Sequence, residues 1–381
     1  MHPTSRRVRE ILFVVGEASG DLHAGKVAEV LRATAPALAM VGIGGRHMRE
    51  AGVEIIEDVE NLAVMGFTEV VRHIPKHYAL LGRLRERIES GRVALVVLLD
   101  YPGFNLKVAD VAKKAGVPVL YYITPQVWAW GAGRLPKLAR VVTKAASILP
   151  FEEGLLRQHG VDATFVGHPL LDRAQSLPTQ AAARAALGLP ADGPILAVFP
   201  GSRRAELARH LKPFMATATL LQARVPGLHV VVSVAPTVRI SESDCPFPRV
   251  HGASFNVLRA ATAGLLKSGT TTLEAAVAGL PHVIGYRTSA ITYAIARRVV
   301  KIPHIGLVNV VAQREVSQEF VQDAFEPQRV ADALMPLLDV HSAQRAHAVA
   351  GLSEVHGMLG TPGASERVAT MIRDLVAAGP A

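Results

Sequence analysis

Four short loops hold the residues whose types and spacing could do chemistry, and each follows an apolar run. In Leu265–Arg287, LLKSGTTTLEAAVAGLPHVIGYR, a Ser-Gly-Thr loop leads into a helix that Gly279 and Pro281 bring to an end. The N–H groups of Gly269, Thr270 and Thr271 stand at the start of that helix, where the dipole favours an anion. Glu274 lies about one turn in, placed to accept hydrogen bonds from hydroxyls beside the anion. A phosphate followed by vicinal hydroxyls describes a nucleotide's pyrophosphate and ribose. Thr271-x-x-Glu274 equally fits a capping box, in which Glu274 serves only a backbone N–H. This stretch alone leaves the two readings level.

Asp100 closes the run ALVVLL and begins DYPGFN. Its carboxylate is expected at the carboxyl edge of a sheet beside apolar packing, a setting that raises a carboxyl pKa and suits a general base. Pro102-Gly103 signals a turn and Asn105 offers a helix cap, so the turn does not require Asp100. In PGSRRAEL, residues 200–207, Ser202 is the expected cap and Arg203 and Arg204 follow it in the first turn. Cations there oppose the dipole at roughly 0.3–1 kcal/mol each, a placement that makes sense where an anionic ligand arrives. Glu206 offsets part of that cost.

GEASGDLHAGK follows the first apolar run. Gly20-x4-Gly25-Lys26 nearly matches a phosphate-binding P-loop, but Val27 stands where Ser or Thr must hold magnesium, which excludes an NTPase. The glycine spacing does not give a dinucleotide fingerprint either. Ser19 or Asp21 would cap the following helix in an ordinary turn, while Glu17 and Asp21 in one short loop point towards a polar ligand. TPQVWAWGAGR, residues 124–134, holds both tryptophans, which read first as core. Met65–Arg87 sets Arg72, Lys76, Arg83, Arg85 and Arg87 among apolar residues; it reads either as a basic solvated helix, interrupted at Pro75, or as a surface for an anionic membrane.

Short apolar runs alternate with helical patterns almost throughout, the mark of α/β folding with parallel sheets. Strands are expected at Ile11–Val15, Met40–Ile43, Ala94–Leu99, Val119–Ile123, Ser147–Leu149 and Thr164–Val166, and again at Ile195–Phe199, Val230–Val234, Gly264–Leu266 and Val283–Tyr286. The two series predict two Rossmann-like doubly wound domains, residues 1–173 and 174–360, with a cleft between them. A last helix falls within 361–381, its lobe left open. The length of 381 residues suits two domains, and the single Cys245 excludes an internal disulfide. The run after Arg6, Arg7 and Arg9 is too short for a signal peptide, and no stretch reaches the length of a membrane span, so a cytoplasmic protein is expected. A net charge of +9 favours anionic partners, and without zinc-finger spacing or a basic-aromatic RNA motif these are phosphorylated ligands or anionic lipid rather than nucleic acid. No Asp-x-Asp or H-E-x-x-H spacing indicates a metal.

Taken in order, GEASGD, AVMGFTEV, DYPGFN, TPQVWAW, LPFEE, FVGHPLLD, PGSRRAE, SGTTTLEAAVAGLP, GYR and LVNVVAQRE resemble the lipid-A-disaccharide synthases, glycosyltransferases of the GT-B type, from about Ile11 to Gln328. The resemblance implies an inverting transfer from a UDP-activated diacylated glucosamine to a diacylated glucosamine 1-phosphate, releasing UDP, with no metal or cofactor. It implies Asp100 as the essential aspartate and Arg203 as the essential arginine, with Asp100 as base towards the acceptor and Arg203 stabilising the departing UDP. Ser202 would bind substrate, Gly269 and Thr270 would meet the pyrophosphate, Glu274 the ribose, and Asn309, Arg314 and Glu315 the nucleotide side. Glu17, Ser19 and Asp21 would face the cleft. It also implies docking on the cytoplasmic face of an anionic inner membrane and leaves a homodimer open. Gly103 stands where some members carry an acidic residue, and Gly131 and Ala132 where members often carry arginine. The alternatives are another GT-B enzyme acting on UDP-GlcNAc-type donors, such as an epimerase, or a non-catalytic nucleotide-sugar-binding protein.

Overall fold

The computed structural model describes residues 9–61, 67–299 and 302–379. The chain forms two compact units, Met1–Asp172 with Thr361–Ala381, and Arg173–Gly360. The first holds β1 (Glu10–Val15), β2 (Ala39–Gly44), β3 (Glu54–Asp58), β4 (Val93–Leu99), β5 (Val119–Tyr122), β6 (Lys144–Ser147) and β7 (Ala163–Phe165), in the sheet order β3-β2-β1-β4-β5-β6-β7. The second holds β8 (Ile195–Phe199), β9 (His229–Val234), β10 (Arg249–His251), β11 (Ala263–Lys267), β12 (His282–Tyr286) and β13 (Glu319–Val321), in the order β10-β9-β8-β11-β12-β13. Both sheets are parallel and both are covered on two faces.

Alternation along each strand builds those two layers. In the first unit Leu12, Val14, Val96 and Leu98 pack under the helices Phe67–Glu89 and Pro102–Lys114, while Ile11, Phe13, Val15, Leu95, Val97 and Leu99 face Val27 and Leu31 of the helix Ala18–Thr34. The central strands are therefore almost continuously apolar. In the second unit Leu196, Val198 and Leu265 meet Phe214 and Leu221 of the helix Arg204–Arg224, and Ala197, Phe199 and Leu266 meet Ala275 and Ala278 of the helix Thr271–Ala278.

Strand order locates the ligand edges. In each sheet the connectivity reverses between two adjacent strands, β1 and β4 in the first unit and β8 and β11 in the second. Ligands of doubly wound sheets bind outside the carboxyl ends at such a switch point. The loops bearing Glu17 and Asp100 leave one of them, and those bearing Arg203 and Gly269 leave the other.

Several expectations change. β6 ends at Ser147 instead of spanning Ser147–Leu149, because the N–H groups of Ile148 and Leu149 donate to the Glu152 carboxylate and leave the ladder. β3, β10 and β13 are additional short strands. Pro75 lies inside a continuous helix Phe67–Glu89, whose Leu80, Leu84 and Ile88 are buried against the sheet and sustain it past the missing hydrogen bond. The expected basic stretch begins at Met65, which lies outside the described residues, as do residues 63–66 of AVMGFTEV. The last helix, Ala364–Ala378, belongs to the first unit: Val368, Ala369 and Ile372 join its core, and the Asp172 carboxylate accepts from the N–H groups of Gly363 (2.6 Å), Ala364 (3.3 Å) and Ser365 (3.2 Å). Among the described residues no helix is long and apolar enough to cross a membrane.

Candidate active site

In the first unit the chain leaves β4 through two consecutive left-handed residues, Asp100 and Tyr101, both at φ 45°. This turn starts the next helix at Pro102, so Asn105 is not its cap but lies inside it, fully buried. Its side-chain amide instead donates to the carbonyls of Asp100 (2.8 Å), Leu99 (3.0 Å) and Val14 (3.3 Å), tying together the ends of β1 and β4. The Tyr121 hydroxyl also donates to the Asp100 carbonyl, at 2.6 Å. The Tyr101 ring lies over Gly16, where a Cβ would fall 2.3 Å from Tyr101 Cγ, and its hydroxyl is 2.6 Å from Nε2 of His77. Gly16 is thus the residue after β1 that lets the Tyr101 ring in.

The loop after β1 separates its acidic residues. Ser19 Oγ donates to Glu17 Oε1 at 2.5 Å, and both residues are exposed. Asp21 turns inward: its carboxylate accepts from the N–H groups of Gly45 (2.6 Å), His47 (2.9 Å) and Met48 (3.1 Å), capping the helix Arg46–Glu50. Neither Ser19 nor Asp21 caps its own helix, and the polar-ligand role expected of Asp21 gives way to this scaffold role, because its oxygens are already engaged by backbone. The tryptophans also divide. Trp128 Nε1 donates at 3.0 Å to Glu152, a buried carboxylate that the motif LPFEE contains but whose role sequence reasoning missed. Burial pushes the Glu152 pKa up to about 7 against the pull of its three hydrogen bonds. Trp130 is not core: it is 52% exposed, with the Arg134 guanidinium 4.7 Å above its ring.

In the second unit β8 runs into Gly201 at φ 132° and β11 into Gly269 at φ 149°, values that L side chains rarely adopt. Arg203, not Ser202, is the N-cap residue of the helix Arg204–Arg224, because the Glu206 carboxylate reaches back to the N–H groups of both Ser202 (3.0 Å) and Arg203 (3.3 Å). The Ser202 carbonyl meanwhile accepts from Thr237 Oγ1 at 2.6 Å. Glu206 also draws in Lys267 at 3.0 Å and Arg203 at 3.7 Å. Burial alone would raise the Glu206 pKa, but Lys267, the Ser202 N–H and the Arg203 charge hold it below the ordinary carboxylate value. Lys267 is a cation that motif reading passed over, although it directly precedes Ser-Gly-Thr.

Thr270 is the N-cap residue of the helix Thr271–Ala278, and Thr272 Oγ1 donates to the Gly269 carbonyl at 2.8 Å. Among the described residues no acceptor meets the N–H groups of Gly269, Thr270 and Thr271. The capping-box reading of Glu274 falls: among the described residues its largely buried carboxylate meets Arg173 at 3.5 Å and no backbone N–H. Burial raises its pKa and Arg173 opposes the rise. His210, another residue not singled out from sequence, bridges two loops, its Nδ1 donating to the Pro200 carbonyl (3.1 Å) and its Nε2 accepting from the Arg287 N–H (2.8 Å). Burial lowers its pKa, which keeps the bridging imidazole neutral.

Asn309 is fully engaged within the protein. Nδ2 donates to the Ser317 carbonyl (2.7 Å) and Glu319 (2.8 Å), and Oδ1 accepts from the N–H groups of Val316 (2.8 Å) and Ser317 (2.9 Å). A carboxamide has two donors and two acceptor sites, so the expected ligand contact through this side chain gives way to building the loop that carries Arg314 and Glu315. Those two are exposed, and Arg314 pairs with Glu354. Val308 N–H donates to Thr272 Oγ1 at 3.4 Å, which sets this segment beside the helix Thr271–Ala278.

The family model described as lipid-A-disaccharide synthetase matches residues 11–358. The chain is 42% identical over 373 residues to a lipid-A-disaccharide synthase of Anaeromyxobacter sp. (strain K), covering 96% of this chain and 97% of that one. It is 39% identical over 374 residues to the lipid-A-disaccharide synthase of Syntrophus aciditrophicus (strain SB), with 96% and 97% covered. Among solved structures, the UDP-GlcNAc 2-epimerase from Neisseria meningitidis bound to UDP-GlcNAc superimposes with a TM-score of 0.64 at 12% identity, over 96% of this chain and 100% of that one. The glycosyltransferase of kitacinnamycin gives 0.65 at 16% identity over 97% and 99%. These two likenesses show the shared fold, two Rossmann-like units of GT-B type.

Proposed function

The chain belongs to the lipid-A-disaccharide synthase family, glycosyltransferases of lipid A biosynthesis, and on that premise we propose the reaction and the residues that carry it. The donor is UDP-2,3-diacylglucosamine and the acceptor 2,3-diacylglucosamine 1-phosphate. The acceptor's 6-hydroxyl oxygen attacks C1 of the donor sugar from the face opposite UDP, Asp100 takes the hydroxyl proton, and the C1–O bond breaks with its electron pair going to UDP. The product is the tetraacyl disaccharide 1-phosphate with inverted C1. Charge developing on the departing diphosphate is met by Arg203, and preorganised donors aimed at such charge are usually the largest catalytic contribution.

One observation carries this reading: at the second unit's switch point Arg203, Lys267 and the N–H groups of Gly269, Thr270 and Thr271 gather where an anion would sit. Glu274 would hold the ribose, and Arg314 and Glu315 would stand on the nucleotide side. Glu17 and Ser19 would meet the acceptor.

The test is turnover of this donor and acceptor pair without added metal, wild type beside Asp100→Asn. The expected outcome is disaccharide and UDP from wild type, with the variant binding UDP normally but turning over at least roughly 100-fold more slowly, the scale of general-base catalysis. A wild type inert with this pair overturns the substrate assignment, and an undiminished variant overturns Asp100 as base.

A membrane-facing surface on the cytoplasmic side accords with the acylated substrates and with the +9 charge. Arg83 and Arg87 pair with Glu57 and Glu10 of the sheet, so the docking face rests on Tyr78, 60% exposed, and on exposed Lys76 and Arg85. Replacing Tyr78, Lys76 and Arg85 with Ser is expected to weaken sedimentation with anionic vesicles, and unchanged sedimentation rejects this face.

A further inference from the structure

Two adjacent non-glycine residues in the left-handed region are strained and persist only where surrounding groups over-determine them. At Asp100 and Tyr101 those groups can be named. The Asp100 N–H donates to the Ile123 carbonyl at 3.1 Å, and its own carbonyl receives both the Tyr121 hydroxyl at 2.6 Å and the Asn105 amide at 2.8 Å. Tyr121 lies on β5 opposite Leu98 of β4, fully buried, so its phenol crosses from one strand to the peptide just beyond the end of the next. Burial first, then the negative charge of Asp100, raise the Tyr121 pKa well above its ordinary value, so the phenol remains a donor throughout the working range.

We infer that Tyr121 is a positioning residue for Asp100: its hydroxyl, with the Asn105 amide, locks the peptide whose direction sets where the Asp100 carboxylate points. This rests on Asp100 acting in the reaction as proposed above. A short, directed bond from a rigid buried ring costs little further ordering, and a carboxylate misdirected by about 1 Å can cost up to about 100-fold in rate.

The next residue supplies the control. Tyr122 is equally buried on the opposite face of β5, and among the described residues its hydroxyl has no hydrogen-bond partner. Tyr121→Phe and Tyr122→Phe therefore delete the same atom at adjacent core positions, one with a link to Asp100 and one without. The experiment measures kcat and KM for donor and acceptor on the full chain, well below each variant's melting midpoint, with Asp100→Asn and the Asp100→Asn/Tyr121→Phe double variant alongside. Tyr121→Phe is expected to lower kcat about tenfold with both KM values within about twofold, Tyr122→Phe to leave all three unchanged, and the double variant to be no slower than Asp100→Asn. Wild-type kcat in a folded Tyr121→Phe, an equal fall in Tyr122→Phe, or a further loss in the double variant overturns the positioning role while leaving Asp100 in place. Full activity in Asp100→Asn overturns both. Should Tyr121→Phe fail to fold, Asn105→Ser removes the second donor to the same carbonyl and carries the same expectation and the same refutations.

Discussion

After β4 the chain turns through Asp100 and Tyr101, both at φ 45°, whereas after β8 and β11 it turns through Gly201 at φ 132° and Gly269 at φ 149°. The first turn could use glycine more cheaply, yet glycine has no carboxylate to present. Side chains from three other segments, Asn105, Tyr121 and His77, hold it in place. The second edge presents backbone N–H groups and nearby cations, and there an absent side chain is the useful property. In the proposed reaction, one edge aims a functional group and the other lets a charged ligand approach the main chain.

The largest expected contrast comes from the charged residues. Arg203→Ala should lower kcat/KM by about 10²–10³-fold, typical of losing one donor to developing charge, and weaken UDP binding as well. Asp100→Asn should lower turnover with UDP affinity unchanged. Calorimetric titration with UDP checks the division; equal affinity in Arg203→Ala would break it.

Glycine substitutions give a smaller and sharper test. A Cβ at Gly16 would meet the Tyr101 ring, 2.3 Å from Cγ, and one at Gly201 would lie 2.8 Å from the Glu206 side chain. Each is an overpacking of roughly 1–3 kcal/mol. Gly16→Ala should then reduce kcat and spare UDP binding, while Gly201→Ala should weaken UDP binding several-fold through Glu206 and Arg203. Titration of both variants with UDP would refute the contrast if their affinities fell alike.

The smallest effect concerns acid stability. Burial lowers the pKa of His168 to about 3, with His23 adding to the shift and Asp172 opposing it. A histidine depressed in the folded state binds its proton more readily when unfolded, so stability falls as pH drops below about 6.5, by about 1.4 kcal/mol per pH unit at most. Nδ1 of His168 accepts the Leu170 N–H at 3.1 Å, an acceptor that Asn can imitate. Melting midpoints between pH 6.5 and 5 should fall less steeply for His168→Asn than for wild type; parallel curves would remove this histidine from the balance. Glu152, raised to about 7, acts in the opposite sense in the same unit: its share of stability is complete below about 4.5 and lost as pH rises through 7.

Much of the site was legible because its loops follow long apolar strands. Asp100 after ALVVLL and Gly269 after AGLLK are placed by local pattern alone. The edge strands β3, β10 and β13 were not legible, since EIIED, RVH and EFV are short and partly polar and pair on one side only. Asp21 and Asn309 looked like ligand contacts because motif reading reports residue type, while in the fold Asp21 is engaged by three backbone N–H groups and Asn309 has its donors and acceptor oxygen filled. Lys267 and His210 were passed over for the converse reason: neither stands out until Glu206 and Arg287 are brought beside them.

By itself the sequence determined the alternation of strands and helices, the two parallel sheets and the loops at their carboxyl ends, because these follow from apolar periodicity and from glycine and proline at fixed places. Tertiary structure alone decided which polar groups face inward. It set Asp21 on the N–H of Gly45, Asp172 on the helix Ala364–Ala378 and Tyr121 on the Asp100 carbonyl. Such a choice depends on partners some 20 to 190 positions away, and a hydrogen bond exists only once the fold has brought its two ends within about 3 Å.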